Sequence, residues 1–170
     1  MPQLLKDIPD GATCFLDATI FYYHLVNTPP LSDDCSDLLT RIGSGAIYGV
    51  TSTVVLAEAT HKVMLAEIVR KHSITPQGLI SRIKKHPDLL INLTAHQQIV
   101  ALAQALKITI MPITINLLRR GAELSPQMRL LTNDSLTLAV MEKAQTKSLA
   151  TNDDDFDSIS GIIAYKPSRA

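Results

Sequence analysis

The chain has 170 residues, a length that suits one compact domain, and its 16 basic and 16 acidic side chains give a formal net charge of zero. Hydrophobic residues make up 46% and charged residues 19%, which is typical of a folded protein and excludes a disordered one. No apolar stretch approaches the ~18 residues that span a bilayer, and two cysteines cannot form a disulfide framework or a cysteine-rich zinc cluster. We therefore expect a cytoplasmic protein with free thiols and no membrane association.

The balanced net charge conceals a segregation along the chain. Between Lys62 and Arg129 there are ten basic residues against three acidic ones, whereas the rest of the chain holds six basic and thirteen acidic residues. A positive stretch of this kind can hold a polyanion, although solvated helix faces would explain it as well. No aromatic residue lies between positions 49 and 155, so nucleic-acid binding there would depend on phosphate contacts and not on base stacking.

Short strands and helices alternate along the predicted secondary structure. Short apolar or β-branched runs predict strands, and apolar positions that recur every three or four residues predict helices. In chain order the predicted elements are a strand at 12–17, a helix from 19 to the prolines at 29 and 30, a helix at 32–42, a strand at 46–51, helices at 52–71, 76–86 and 94–107, a strand at 108–115, helices at 115–123 and 135–146, the latter capped by Asn133 or Asp134, a strand at 148–151, a turn or short helix at 152–159 and a final edge strand at 161–167.

Helices that alternate with short buried strands predict an α/β fold, a three-layer α/β/α domain around a mainly parallel sheet of four to five strands. We expect residues 1–11 to form an N-terminal extension and residues 12–170 to form a single domain. In such sheets ligands bind beyond the carboxyl ends of the strands. Two predicted strands run directly into aspartates, Asp17 and Asp153, which directs the search for a site to that edge.

Acidic side chains are the strongest candidates for chemistry. Asp17 closes the first predicted strand two residues before Thr19, Glu58 interrupts an apolar helical segment, Asp134 stands at a helix start, and four aspartates crowd residues 153–157. Taken singly, each acid has a structural explanation as a turn residue, a solvated helix residue or an N-cap. Taken together they repel one another by about 1 kcal/mol per close solvated pair unless a cation neutralises them.

The chemistry of that cation follows from the ligands. A calcium-binding EF-hand loop at 153–164 is excluded, because Ser158 stands where the loop needs Gly and Ala164 where it needs Glu. Mg²⁺ and Mn²⁺ take oxygen ligands from one or two carboxylates, with water and phosphate completing the shell. A metal held this way activates water and screens the charge that develops during phosphodiester cleavage, without a Ser, Cys or His nucleophile.

Five segments, in this order, resemble the PIN-domain nucleases and, among them, the VapC-type toxins of bacterial toxin–antitoxin pairs. They are FLDATIF (15–21), TSTVVLAEAT (51–60), LTNDSLTLAVMEKA (131–144), SLATNDDDF (148–156) and GIIAYKP (161–167). The resemblance extends from about residue 12 to residue 168. It implies a PIN-like domain over residues 12–170 that acts as an Mg²⁺- or Mn²⁺-dependent endoribonuclease.

The resemblance also implies roles for individual residues. Asp17, Asp134 and Asp153 would hold the metal, while Glu58 and Asp155 would complete its shell or orient the attacking water. Thr stands at position 19, where the family commonly has Asn or Ser. The substrate-binding candidates are polar residues beside these acids, together with basic residues of the positive stretch: Thr19, Thr151, Asn152, Lys84, Lys85, Arg119 and Arg120, with Arg70, Lys71 and Arg82 as further phosphate contacts.

The partners implied by the resemblance are an RNA substrate, a second copy in a homodimer and a small antitoxin whose C-terminal segment crosses the acidic cleft. Because that cleft is negative, such an inhibitor should present Arg or Lys to it. Two alternatives remain: a non-catalytic PIN-like module that binds RNA or protein, and a PIN-like nuclease with a non-toxin role in RNA processing. A structure-specific DNase is disfavoured, because the chain lacks long insertions and a basic C-terminal arm.

Overall fold

The computed structural model describes residues 3–168, and within them the strands form one parallel sheet of six strands. The strands are β1 (Gln3–Leu4), β2 (Thr13–Leu16), β3 (Tyr48–Ser52), β4 (Thr109–Met111), β5 (Ser148–Ala150) and β6 (Ile163–Lys166). They lie in the order β1-β6-β5-β2-β3-β4, and every pairing is parallel. The predicted α/β class is confirmed, with one strand more than the four to five expected.

Helices form the outer layers of the domain. The α-helices are α1 (Ala18–Val26), α2 (Leu31–Gly43), α3 (Thr53–His72), α4 (Leu79–Lys85), α5 (Gln98–Ala105), α6 (Ile115–Met128) and α7 (Thr132–Lys143). Helix α1 packs against α2 and α3, and α6 packs against α7. Because parallel crossovers are right-handed, the helices that precede β3 and β4 lie on one face and those that precede β5 lie on the other, which gives the predicted three-layer arrangement. None of the helices within residues 3–168 is long and apolar enough to cross a membrane.

The centre of the sheet explains where a site can form. Cys14, Phe15 and Leu16 of β2 are fully buried, as expected for a parallel strand covered on both faces. From β2 the chain moves towards β3, but from β4 it crosses back to β5 on the other side of β2. The adjacent carboxyl ends of β2 and β5 are thus the topological switch point, where open α/β sheets bind ligands.

Two local predictions are wrong. Ile163–Lys166 is not an edge strand, because Gln3–Leu4 pairs with its outer side. A two-residue strand leaves no periodic pattern, although the chain that follows it buries Leu5 and Ile8 in the core. Neither Asn133 nor Asp134 caps α7, since that helix already begins at Thr132 and Asp134 lies in its first turn.

The middle of the chain differs from the predicted helices mainly in its boundaries. The helix predicted at 76–86 is confined to α4, and the one predicted at 94–107 is a short 3-10 helix, Ala95–Gln97, followed by α5. We call residues 74–94, which contain α4 and the 3-10 helix Pro87–Leu90, the helical arm. A small apolar cluster outside the main core joins this arm to α3 through Ile68, Leu79 and Leu93.

Candidate active site at the carboxyl edge of the sheet

Asp17 is the best-anchored acid of the predicted site. It follows β2 directly and serves as the N-cap of α1. Its Oδ2 atom accepts hydrogen bonds from the Thr19 amide (3.3 Å), the Thr19 hydroxyl (2.7 Å) and the Thr151 hydroxyl (2.9 Å). No residue within the described range 3–168 donates to Oδ1, so that oxygen is available to a ligand while its partner holds the carboxylate in place.

The turn after β5 is joined to α1 by the same hydroxyl groups. The Asn152 amide donates to the Thr19 hydroxyl and the Asp153 amide donates to the Thr151 hydroxyl, both at 3.0 Å. Asp153 in turn accepts from the Asp155 amide at 3.0 Å and caps the 3-10 helix Asp154–Phe156. Residues about 134 positions apart in the sequence are therefore fixed side by side, as the register between β2 and β5 requires.

Lys166 holds the far end of this turn. Its ammonium group lies 2.6 Å from Asp154 and 2.6 Å from Asp157, and its side chain is 5% exposed. A buried lysine needs such partners, because its charge would otherwise be left without solvation. These two pairs direct Asp154 and Asp157 towards β6, which separates them from the acids beside Asp17.

Asn152 extends the site towards α1. Its side-chain amide donates to the Tyr23 hydroxyl at 3.0 Å, and the Tyr23 ring packs edge-to-face on Tyr22 with centroids 5.3 Å apart. The other side-chain atom, Oδ1, is buried and has no hydrogen-bond partner among residues 3–168. Buried acceptors are nearly always satisfied, so this oxygen is an exception within the site.

Asp134 lies in the first turn of α7, which packs closely on α6. A Cβ atom at Gly121 would come within 3.2 Å of the Leu136 Cα, a tight contact, so glycine favours this close approach. Burial raises the pKa of Asp134 to about 6, and the neighbouring carboxylates add to the rise. Those neighbours are Asp153, Asp155, Asp17 and Glu58. The other four acids named from the sequence thus lie within electrostatic range of Asp134.

Glu58 is engaged by a cation of the chain itself. Its carboxylate forms an ion pair of 2.7 Å with Lys62, one turn further along α3. Partial burial disfavours the charged form of Lys62, but the hydrogen bond to Glu58 and the charges of Glu58, Asp17 and Asp153 raise its pKa overall. The sequence interpretation missed Lys62 as part of the site; its i,i+4 spacing from Glu58 was the available signal.

The chemistry of these residues fits a hard divalent cation. All five candidates offer carboxylate oxygens, and burial together with the charges of the other four raises the pKa of Asp134. Within residues 3–168, however, no three Asp, Glu, His or Cys side chains are gathered into a ready-made ligand cluster. Glu58 is paired with Lys62, so that ion pair must open before Glu58 can face a bound cation, whereas Asp17 keeps its Oδ1 available.

The basic candidates lie apart from the acids. Lys84 and Lys85 are exposed on α4 in the helical arm. Arg120 forms a bidentate pair with Glu142 at 2.8 and 2.9 Å, which raises its pKa. Since Glu142 follows Asp134 by eight residues on α7, this pair lies about 12 Å along the helix from the acidic edge. Arg119 donates to Asn116 at 3.4 Å, and phosphate binding by either arginine stays a prediction.

A groove of about 760 Å³ leads away from the acidic edge between α1, α3 and α4. It begins at Thr19 and Lys62 and has Arg70 on its border. Its walls are largely apolar and include Tyr22, Tyr23, Val26, Leu65, Val69, Leu79 and Ile80. The acidic edge and an apolar surface are therefore continuous.

A three-layer α/β/α domain with carboxylates at its switch point defines the class of this protein. The family model described as the PIN domain matches residues 14–162 of the chain. The chain therefore belongs to the PIN domain family, as its motifs indicated. A comparison with curated proteins found no significant match.

Solved structures resemble the fold at low sequence identity. VapC20 of Mycobacterium tuberculosis, described as a toxin that cleaves the sarcin-ricin loop, superposes with a TM-score of 0.63 and 15% identity, covering 91% of this chain and 99% of that one. VapBC2 of Rickettsia felis, bound to a DNA fragment from its promoter, gives 0.55 and 17%, covering 89% and 96%. A toxin–antitoxin complex of Klebsiella pneumoniae gives 0.53 and 14%, covering 88% and 95%.

Proposed function

We propose that the protein is a metal-dependent endoribonuclease that hydrolyses RNA phosphodiester bonds at the carboxyl edge of the sheet. The observation that carries this proposal is that four other carboxylates act electrostatically on Asp134, among them Asp17, whose Oδ1 accepts no hydrogen bond within residues 3–168. Carboxylates that lie close together repel one another, which destabilises the fold. A divalent cation would neutralise this repulsion and take their oxygens as ligands. Membership of the PIN domain family supports nuclease chemistry.

Each residue has a distinct part in this proposal. Asp17, Asp134 and Asp153 would hold Mg²⁺ or Mn²⁺, which supplies an activated water and screens the charge on the phosphate. Thr19 and Thr151 fix the carboxylate of Asp17 through its Oδ2 atom. Glu58 and Asp155, the remaining carboxylates, orient the attacking water as hydrogen-bond acceptors.

Substrate binding is the second part of the proposal. The polar residues Thr19, Thr151 and Asn152, which lie beside Asp17, would contact the bound RNA. Lys84 and Lys85 on the helical arm would hold phosphates along the same RNA. Arg119 would add a further phosphate contact, and Arg120 would do so only after it leaves Glu142 and Glu123.

We also propose that this ribonuclease is the toxin of a toxin–antitoxin pair in the cytoplasm. The similar structures are described as toxins or toxin–antitoxin complexes. An apolar groove that ends at an acidic cleft fits an amphipathic antitoxin segment that finishes in Arg or Lys. A homodimer belongs to the same proposal, and the exposed Ile115, Leu118 and Leu131 offer apolar surface for it.

The test is cleavage of RNA by the purified protein. Wild-type protein is incubated with total RNA or with duplex DNA in Mg²⁺, in Mn²⁺ or in EDTA, beside an Asp153→Asn variant. We expect new RNA ends only with a divalent cation and only from the wild type, and no cut in DNA. Cleavage that continues in EDTA, or that Asp153→Asn retains, would contradict the proposal. Expression in a bacterial host should arrest growth in the wild type alone.

A further inference from the structure

Lys62 is the cation that the structure places against the acidic edge. Its ammonium lies 2.7 Å from Glu58, and the charges of Asp17 and Asp153 also act on it. The side chain arises from α3, is 41% exposed and reaches the edge from the mouth of the apolar groove. Lys62 therefore interacts with three of the five carboxylates, with Glu58 by direct contact and with Asp17 and Asp153 through their charges.

We propose that Lys62 is a tethered counter-ion of the acidic edge, which occupies Glu58 in the free protein and leaves it when a divalent cation binds. This inference rests on the proposed function, since it concerns how the same edge exchanges its positive charge. Lys62 acts on the bound cation only through Glu58 and through its own charge, so it is a positioning residue and not a catalytic one.

The geometry favours exchange over a permanent pair. Both partners keep contact with solvent, because the side chains of Lys62 and Glu58 are 41% and 30% exposed. Exposed pairs spaced i,i+4 on a helix are weak, so a divalent ion can replace the lysine without a large loss. The four rotatable bonds of lysine let the ammonium withdraw along the groove while α3 stays in place.

Charge arithmetic gives the size of the effect. A unit positive charge at about 6 Å from a divalent ion, in a water-like dielectric, weakens binding of that ion about tenfold. Replacing Lys62 by an uncharged residue should therefore tighten divalent-cation binding about tenfold at low ionic strength. The same change should destabilise the protein in EDTA, because Glu58, Asp17 and Asp153 then face one another without a positive group.

The experiment measures Mn²⁺ binding calorimetrically and thermal unfolding with and without Mn²⁺, both at low salt. The variants are Lys62→Met, Lys62→Gln and the charge-conserving Lys62→Arg. Lys143→Met is the matched control, since Lys143 is exposed on α7 and forms no ion pair within residues 3–168. Neither measurement depends on RNA cleavage.

We expect Lys62→Met and Lys62→Gln to bind Mn²⁺ about tenfold more tightly than the wild type. Both variants should melt at a lower temperature in EDTA, and Mn²⁺ should raise their melting temperature by more than it raises that of the wild type. Lys62→Arg and Lys143→Met should stay within about twofold of the wild-type affinity. Equal or weaker Mn²⁺ binding by the neutral variants would overturn the inference while leaving the proposed function intact. Failure of every protein to bind Mn²⁺ would overturn both.

Discussion

The acidic edge and the helical arm are two regions on the same side of α3 that are held in different ways. At the edge, hydrogen bonds from Thr151 and Asn152 cross to Asp17 and Thr19, and the strands beneath them are fully buried. The arm rests on a small separate cluster and on Lys71, whose ammonium lies 3.0 Å from the Asn92 carbonyl oxygen. Regions with few buried contacts open most easily, so the edge should be rigid and the arm adaptable.

This difference matches the two tasks of the proposed nuclease. Hydrolysis needs carboxylates that are already near their working positions, whereas a surface that accepts RNA of varied shape gains from movement. At the acidic edge, the hydroxyl groups of Thr19 and Thr151 hold the carboxylate of Asp17 and the turn after β5 in place through hydrogen bonds. The helical arm should move more freely, and it presents the exposed Lys84 and Lys85 on α4, a helix of seven residues.

Among the variants that test this comparison, Asp17→Asn should have the largest effect on activity. Loss of the carboxylate removes a ligand of the cation. Changes in residues that only support metal ligands lower metal affinity or activity about 10- to 100-fold, so we expect RNA cleavage to fall by at least about 100-fold. Folding should be retained, since Asn can still accept from Thr19 at the N-cap. Initial cleavage rates and circular dichroism measure the two effects. Asp37→Asn, which removes the same charge at an exposed position of α2, is the control. A similar loss of RNA cleavage in that variant would contradict the assignment of Asp17 as a metal ligand.

Asp134→Asn should stabilise the metal-free protein. The folded-state pKa of Asp134, about 6, lies above its ordinary value of 3.8, so the folded protein loses stability as pH rises through that window. Removal of the charge should therefore raise the free energy of unfolding at pH 7.5 by about 1 kcal/mol, and by less at pH 5. Urea unfolding in EDTA at both pH values measures this. An equal gain at both pH values would show that the buried charge of Asp134 and its repulsion by the other acids are not the cause.

Glu67→Gln should loosen the arm and leave the edge unchanged. The Glu67 carboxylate accepts from the amides of Thr94 and Ala95, each at 2.9 Å. Burial opposes its charge, but these bonds and His96 lower its pKa below 4.5. Its stabilisation is therefore complete above that value and lost as pH falls through the lowered pKa. We expect a loss of about 1 kcal/mol at pH 7, as for a helix cap.

Hydrogen exchange distinguishes the two regions in that variant. Amides of the helical arm should exchange faster in Glu67→Gln, while those of β2 and β5 should keep their protection. At pH 3.5 the wild type and the variant should become more alike than at pH 7. Faster exchange in β2 or β5 would contradict the separate behaviour of edge and arm.

Changing Lys84 and Lys85 to alanine should have the smallest effect. Each phosphate contact to single-stranded RNA adds about 0.7 to the slope of log affinity against log salt, so the pair should lower that slope by about 1.4. Filter binding by the inactive Asp17→Asn protein at several salt concentrations measures it. Arg119→Ala with Arg120→Ala is the matched comparison, and we expect a smaller change because Arg120 is already paired with Glu142. An unchanged slope for the lysine pair would exclude them from the RNA surface.

The sequence predicted those parts of the fold whose cause is local. Apolar runs that stop at Asp17 and Asp153 identified β2 and β5, and the same pattern placed both acids at one edge. Strand β1 was missed because Gln3 and Leu4 alone carry no periodicity. The pairing of Arg120 with Glu142, 22 residues away, depends on how α6 packs on α7 and has no sequence signal.

The sequence named the candidate acids of the site but not the contacts among them. The positions of the acids follow from strand ends and helix starts, and short sequence motifs predict both. Which oxygen of Asp17 is shared depends on Thr151, 134 positions away, and hence on the register of the sheet. The ion pair of Glu58 with Lys62 was visible as a helical spacing, but only the folded chain shows that Asp17 and Asp153 act on the same lysine.

The most direct test of the acidic edge is the position of Mn²⁺ in a crystal of the wild-type protein. Anomalous scattering locates the ion independently of the protein atoms. We predict a peak within coordination distance, about 2.0–2.3 Å, of carboxylate oxygens from Asp17 and at least one of Asp134 and Asp153, with the unshared Oδ1 of Asp17 as a ligand. A crystal in which Mn²⁺ binds elsewhere, or leaves these three carboxylates empty at saturating concentration, would contradict the account.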